Sequence, residues 1–308
     1  MESKHVTNME IDLDNESEHY MVGDRVTGSL KFASTGRVLA SGVRINLVGV
    51  GEVNWTEHVP LAMYGGAPMY RNNRKFLILD VPFDMNKDAH EKPLDRGVHT
   101  IPFDIKIPDH GSPSSFEDTH AWIHYNVEAA IDEPDSDEVN TIKTRITVDS
   151  PMRHNLKVFV GGHADKTLSV FPNMGSGSIA FHTSLSRKGY LPGETIEVNC
   201  YVVNKSTVDV TPRATLYQTR VYQTGECHKA VDRVLTEHII GKKMASNANN
   251  TDIIHIPIPK SASLSIKSDV ISVKYVVHVT LDIPHAVDLS IDLPIIVTTQ
   301  SALDRNQG

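Results

Sequence analysis

The stretch YMVGDRVTGSLKF, which starts at Tyr20, is written a second time at Tyr190 as YLPGETIEVNCYV, 170 residues later. Both copies read Tyr, two residues, Gly, an acidic residue, one more, then a β-branched residue. A second phrase follows each copy: IPFDIKIPDHGSPSSFEDTHAWIHYNV in the first half and IIHIPIPKSASLSIKSDVISVKYVV in the second. There Pro108 and Pro259 lie 151 residues apart, and Tyr125 and Tyr275 lie 150 apart. Matched features in the same order, at a period far too long for a solenoid, require two related domains in tandem. The shrinking offset assigns the first half 19 to 20 extra residues, expected within MYGGAPMYRNNRKFLILDVPFDMNKDAHEKPLDRG.

Both domains read as β. In SGVRINLVGVG, Val43, Ile45 and Leu47 alternate with Arg44, Asn46 and Val48. In AWIHYNVEAAI, Ile123, Tyr125, Val127 and Ala129 oppose His124, Asn126 and Glu128. In VISVKYVVHVTLD, Ile271 to Leu281 keep the same period of two against Ser272, Lys274, His278 and Thr280. Short alternating runs broken by Gly, Pro, Asn and Asp predict an all-β chain of two antiparallel β-sandwiches, immunoglobulin-like, each strand with one dry and one wet face. No amphipathic helix is predicted. The expected boundaries are a first sandwich over 1–152, a linker over 153–171, a second sandwich over 172–300 and a short tail over 301–308. The linker assignment rests on VDSPMRHNLKVFVGGHADK, which has Pro, Gly and mixed charge but no sustained alternation.

Within the repeated phrase, Gly23 and Gly193 are placed at tight turns that need positive φ, with Asp24 or Glu194 solvated before the strand. Tyr20 and Tyr190 are expected to lay their rings over a sandwich edge while the hydroxyl meets a backbone group. The phrase builds the fold and does no chemistry.

The chain has 308 residues, 40% of them hydrophobic and 22% charged, enough for an ordinary core in each half. A net charge of −8 argues against a nucleic-acid surface, which needs concentrated Lys and Arg. Two cysteines, Cys200 and Cys227, are too few for a disulfide scaffold; Cys200 is expected buried and inert, Cys227 at a hairpin tip. The polar start MESKHVTNMEIDLDN has no apolar signal region, and no 18 apolar residues run together, so a cytosolic chain is expected. The sequons at Asn15, Asn54, Asn204 and Asn249 are then chance matches.

Signatures of catalysis fail one by one. GVGEVN puts Asn54 where a dinucleotide loop needs its third Gly, and Thr236 stands where a phosphate loop before Gly241-Lys242 needs its first. HExxH, CxxC and GxSxG are absent, and GSGS at Gly175 has the composition of a flexible loop. The 16 histidines are scattered singly, among them His90, His110, His124, His163 and His278, so no metal and no cofactor is expected. The acidic run DEPDSDEVN from Asp132 lacks calcium-loop spacing and reads as a solvated hairpin tip. Arg71, Arg74 and Lys75 in YRNNRK are the candidate partner-binding residues, able to meet phosphate groups on a partner or lipid.

VNWTEH, RGVHTIPFDIKIP, SSFEDTHAWIHYNVEA, LSRKGYLPGETIEV, PRATLYQT and ISVKYVVHVTLDIPHAVDLSIDLPIIV, in that order, resemble the arrestin-domain-containing proteins, the α-arrestins. The resemblance runs from about residue 5 to 298. It implies arrestin-like N- and C-terminal sandwiches. It also implies a non-enzymatic cytoplasmic adaptor, peripherally at the plasma membrane and endosomes, that links cytoplasmic segments of membrane-protein cargo to ubiquitin ligases and endosomal sorting. Peripheral membrane contact is part of the same picture. Members of the family carry PPxY motifs for the WW domains of HECT-type ligases, and this sequence holds no Pro-Pro pair. One branch binds thioredoxin through a C-domain cysteine, and the corresponding IGKKMASNANN has none. A retromer-type coat subunit shares the double sandwich and is the alternative reading; a hydrolase or sugar-binding enzyme lacks any nucleophile or carboxylate pair to carry it. WW domains take preformed polyproline segments into aromatic grooves. Titrated with isolated WW domains at low-micromolar concentration, this chain should therefore show no binding, and grafting on a PPxY tail should create it.

Overall fold

The computed structural model describes residues 6–35, 38–39, 42–56, 69–80, 93–132, 139–168 and 176–305. It divides into two compact units, one carried by Met1–Ser150 and one by Pro151–Tyr222 with His228–Gly308. The first unit begins with β1 (Val6–Leu13), β2 (His19–Met21), β3 (Arg25–Ser34), β4 (Val38–Leu39), β5 (Val43–Thr56) and β6 (Met69–Asp80). It continues with β7 (Pro93–Leu94), β8 (Gly97–Lys106), β9 (Phe116–Glu117), β10 (Ala121–Asp132) and β11 (Val139–Asp149). The second unit holds β12 (Val160–Leu168), β13 (Gly177–Leu185), β14 (Gly189–Tyr190), β15 (Thr195–Ser206) and β16 (Thr211–Thr224). After these come β17 (Cys227–Ile240), β18 (Ala248–Pro257), β19 (Ile266–Lys267), β20 (Ile271–Asp282), β21 (Leu289–Val297) and a one-turn helix, α1 (Gln300–Arg305).

The sheets repeat the sequence repeat. One main sheet of the first unit runs β1–β3–β8 and the other β2–β11–β10–β5–β6, with β9 on β10, and β4 pairs with β7 in a small separate sheet. The second unit answers with β13–β15–β18 and β14–β21–β20–β16–β17, with β19 on β20. Arg25 and Thr195 open equivalent strands 170 residues apart, and Gly97 and Ala248 open equivalent strands 151 apart. The extra residues therefore fall between the start of β3 and the start of β8. The second unit adds β12, paired antiparallel to β13 over nine residues from Val160↔Leu185 to Leu168↔Gly177. Each larger sheet is mixed rather than purely antiparallel, because β2 runs parallel to β11 and β14 parallel to β21.

Alternation sets the cores. Ile123, Tyr125, Val127 and Ala129 are buried on one face of β10, as are Ile271, Val273, Tyr275, Val277, Val279 and Leu281 on β20. The opposite faces are drier than predicted: Val48, Ser272 and Thr280 are also buried. Asn204 is buried too, and its amide donates to the Val208 and Ala245 carbonyls at 2.9 and 3.1 Å, so that sequon builds a turn.

The repeated phrase is a latch. Gly23 and Gly193 have φ of 93° and 86°. Their amides donate to the carbonyls of Ile107 and Ile258, both at 3.1 Å, and the Ile amides return to Asp24 and Glu194 at 2.9 and 2.8 Å. Asp24 and Glu194 are not merely solvated, since each carboxylate accepts the amide three residues back, Met21 or Leu191, at 2.7 Å. Tyr20 and Tyr190 are buried, yet the Tyr20 hydroxyl has no hydrogen-bond partner among the described residues, contrary to expectation. Tyr190 instead lies under Arg187, whose guanidinium carbon is 4.6 Å from the ring centroid and whose Nη2 is 3.0 Å from Glu194.

The stretch over 153–171 is not a plain linker. The Leu156 carbonyl accepts the amides of Lys188 and Gly189 at 2.9 and 2.7 Å, and its side chain is buried with Ile296, Ala302 and Leu303. Ala302 and Leu303 belong to α1, so the described part of the expected tail packs on the second unit. β12 lacks a strand signature in the sequence because its inward positions include Gly162, Ala164 and Lys166 in place of a hydrophobic series. Gly162 is required by closeness: a Cβ there would stand 2.5 Å from Ile291 Cγ2.

Tyr125 and Tyr275 carry the hydroxyl-to-backbone role. Each donates to a carbonyl twelve residues upstream, Pro113 at 2.7 Å and Ser263 at 2.6 Å. Truncation of either tyrosine to Ala should cost about 3–5 kcal/mol in chemical denaturation. The Phe variants should cost about 1 kcal/mol through the stranded carbonyl, and the exposed Lys274→Ala less than about 0.5 kcal/mol. Burial raises both phenols above the ordinary tyrosine range. Their contribution is therefore complete below about pH 10 and is lost as pH rises further, read as tyrosinate absorbance appearing together with unfolding. The Cys200 thiol is buried and pushed up to about 12 by that burial, while Cys227 is exposed. A thiol reagent at neutral pH should label Cys227 in the native chain and Cys200 only after denaturant is added.

Candidate binding surfaces

Arg71, Arg74 and Lys75 lie on β6, the last strand of its sheet. The Arg71 side chain is 65% exposed and its Nη2 is 3.0 Å from Glu52 Oε1, while Asn73 donates to the other oxygen of the same carboxylate at 3.4 Å. Arg74 is exposed, one residue out of phase with Arg71, so the strand directs the two to opposite faces. Lys75 stands opposite Val50 in the register, and its side chain lies outside the described residues. Arg71 and Arg74 therefore do not share a face, and Arg71 is paired with Glu52 of the neighbouring strand.

Of the acidic run, 133–138 lie outside the described residues, and Asp132 is held by Arg44 at 2.7 and 3.0 Å. Two histidines of the first unit pair with strand-surface carboxylates: His19 with Asp149 at 2.9 Å and His124 with Glu117 at 3.2 Å. Burial, then the charge of Arg145, lowers the His124 pKa; the Arg145 hydrogen bond at 2.8 Å is the main cause of the lowered Glu117 pKa. In the second unit His278 meets Asp292 at 2.7 Å. Among the described residues no three His, Cys, Asp or Glu side chains could enclose a metal ion. Such isolated pairs orient side chains and tune charge; none is joined to a nucleophile.

What the geometry does offer is strand edges. β13 and β1 are equivalent strands, and β12 covers the outer edge of β13. Among the described residues no strand covers the outer edge of β1. That edge carries Glu10 and Asp12 on its exposed face, with Asp12 2.7 Å from Lys31, and Asp14, Glu16 and Glu18 follow in the sequence. The register slips between Thr7 and Glu10, and Asn8 between them has φ of 53°. Irregularity and charge are how exposed edges resist indiscriminate pairing. The opposite edge strand, β8, contains Pro102, which has no amide to donate. The open slot could not be read from the sequence, since it is visible only by comparing two folded units.

Two family profiles match the chain. Residues 9–155 match the profile described as "Arrestin (or S-antigen), N-terminal domain", and residues 175–302 that described as "Arrestin (or S-antigen), C-terminal domain". Arrestin domain-containing protein 4 of Mus musculus is 24% identical over 294 residues, covering 91% of this chain and 68% of that protein. Its Homo sapiens counterpart is 26% identical over 210 residues, covering 67% and 50%. Arrestin domain-containing protein 17 of Caenorhabditis elegans is 23% identical over 309 residues, covering 94% and 69%. The chain thus spans between half and about two thirds of the length of these relatives. With two matched profiles in order, together covering most of the chain, and two units that repeat the same core sheet orders, the chain belongs to the arrestin family, in its α-arrestin, arrestin-domain-containing branch.

Proposed function

We propose that this chain is a non-enzymatic adaptor that takes up extended cytoplasmic segments of membrane-protein cargo as an added strand on β1. It works in the cytoplasm, peripherally at the plasma membrane and endosomes, and links that cargo to ubiquitin ligases and endosomal sorting. The observation that carries the reading is that, among the described residues, no strand covers the outer edge of β1 at the slot that β12 fills in the other unit. Added strands gain backbone hydrogen bonds that do not depend on sequence, and side chains supply selection. Cytoplasmic segments next to membranes are rich in Lys and Arg, which complement Glu10 and Asp12 and the acidic residues after them. The family match supports an adaptor over a coat subunit. Because these residues hold no PPxY, ligase recruitment by them would use a folded surface.

The test uses hydrogen exchange with the peptide acetyl-Lys-Val-Lys-Val-Lys-Val-amide as a probe. The amides of Val6–Leu13 should slow, and the double variant Glu10→Lys, Asp12→Lys should lose at least about tenfold in affinity, a change of about 1.4 kcal/mol. Protection elsewhere with β1 unchanged would overturn the strand-addition reading. Capture from cytosol, scored for ubiquitin ligases, retromer subunits and receptors, separates the adaptor from the coat subunit.

A further inference from the structure

The second unit has a surface of a different kind. His163, His182 and Tyr201 stand side by side on β12, β13 and β15, because His163 is the register partner of His182 and His182 that of Tyr201. Neighbouring ring centroids are 6.0 Å apart in both pairs, with interplanar angles of 24° and 31°. The three rings form a shallow platform across three strands. Phe159, 66% exposed, borders it; its ring lies 2.8 Å from where a Cβ on Gly161 would stand, so that glycine leaves room for the ring. Together with Asn199 and Thr251 these residues line a groove of about 540 Å³, and among the described residues no Asp, Glu, Lys or Arg lines it.

Charge frames the platform without entering it. Asp165 is the next outward residue after His163 on β12, and Glu197 is the next outward residue before Asn199 on β15. Both are exposed and neither has an ion-pair partner among the described residues. Around them on the same face stand His255, opposite Glu197, and Lys205, opposite Ser178 at the far end. Lys166 points to the other side, where its Nζ donates to the Val287 carbonyl. Exposed aromatic rings gathered in one place, unlike scattered ones, mark a surface that is covered in use.

We propose that this platform docks an arginine-bearing extended segment of a partner protein. A guanidinium lies flat on aromatic rings, keeps its charge, and offers a planar edge to a carboxylate, which a lysine ammonium does not. The chain itself uses this combination: Arg187 lies over Tyr190 with Glu194 at its edge. Side chains on one face of an extended peptide recur about every 6.6 Å. The step from His163 to Asp165 along β12 has the same spacing, so alternate arginines can meet ring and carboxylate in turn. Acidic segments are repelled by Asp165 and Glu197. This site is on another unit and another sheet from the β1 edge, and does not depend on it.

The probe is acetyl-Gly-Arg-Gly-Arg-Gly-Arg-Gly-amide, labelled for fluorescence anisotropy and titrated with the whole chain at low salt. Its Lys and citrulline analogues and a Gly-Pro repeat of equal length serve as competitors. The Arg peptide should bind at least about fivefold tighter than the Lys peptide and at least about tenfold tighter than citrulline. Tyr201→Ala and His182→Ala, both on an exposed face, should abolish the preference of Arg over Lys with the melting temperature unchanged. Asp165→Asn with Glu197→Gln should weaken both cationic peptides, the Arg peptide more than the Lys peptide. Glu10→Gln with Asp12→Asn should leave the preference intact, which separates this site from the β1 edge. Equal affinity for Arg and Lys, a preference that survives Tyr201→Ala, or tighter binding of the Gly-Pro repeat would each overturn the assignment.

Discussion

In each unit a buried phenol donates its proton to a carbonyl twelve residues upstream, Tyr125 to Pro113 and Tyr275 to Ser263. That bond ties the segment arriving from β8 or β18 to the centre of the larger sheet. The next residues then pair reciprocally with the following strand. The Ser115 amide donates to the Val148 carbonyl at 2.7 Å and accepts the Val148 amide on its hydroxyl at 2.9 Å. Ser265 does the same with Val297 at 2.8 and 3.0 Å. Because Val148 and Val297 are also the register partners of Tyr20 and Tyr190, the crossing segment and the repeated phrase close on one strand. A phenol inside a core is costly unless its hydroxyl is bonded, so the donor and its carbonyl are fixed as a pair. The rest of each sandwich is hung from that fixed point.

The tyrosines, the glycine turns and the alternating strands were legible because each depends on a local period or a local backbone demand. Glycine with positive φ at residues 23 and 193 and alternation along β10 and β20 are properties a chain shows before it folds. What stayed hidden depends on closeness between distant residues. β12 reads as a linker because its inward positions are small, and they are small because Gly162 must pass Ile291. The helix α1 is too short to show a period, and Leu303 becomes apolar core only by meeting Leu156. Of the candidate site residues, the sequence singled out Arg71, Arg74 and Lys75 as a charge cluster. Strand geometry then sends Arg71 and Arg74 to opposite faces and gives Arg71 a local partner in Glu52. The platform of His163, His182 and Tyr201 had no signal at all, since its members are 19 residues apart on successive strands and meet only through register.

The two units share a blueprint, and among the described residues one of their differences is at the edge beside β1 and β13. In the second unit the slot beside β13 is filled from within the chain, and the filling strand is anchored before it starts. Leu156 binds the turn at Lys188 and Gly189 through its carbonyl and packs on Ile296 and Leu303 through its side chain. The Met152 carbonyl adds a further hold by accepting from the Thr298 hydroxyl at 3.0 Å. An anchored strand is already at high effective concentration beside its edge. It needs little side-chain persuasion, which is consistent with the poor hydrophobic pattern of VGGHADKTL.

A strand from another molecule meets a different balance on β1. Ordering its backbone costs about 1–2 kcal/mol per residue, and each new hydrogen bond returns only about 0.5–1.5 kcal/mol. Association adds its own loss of translational freedom, on the order of several kcal/mol. Backbone pairing alone therefore leaves a foreign strand near break-even or below it, and side chains must decide. Along β1 the exposed side chains are Thr7, Asn8, Glu10 and Asp12, the last two charged, with three more acidic residues within the next six. An edge of this composition rejects acidic and purely apolar strands and admits basic ones. On the proposed reading, such an edge would select among strands by charge while holding any one of them weakly enough to release it.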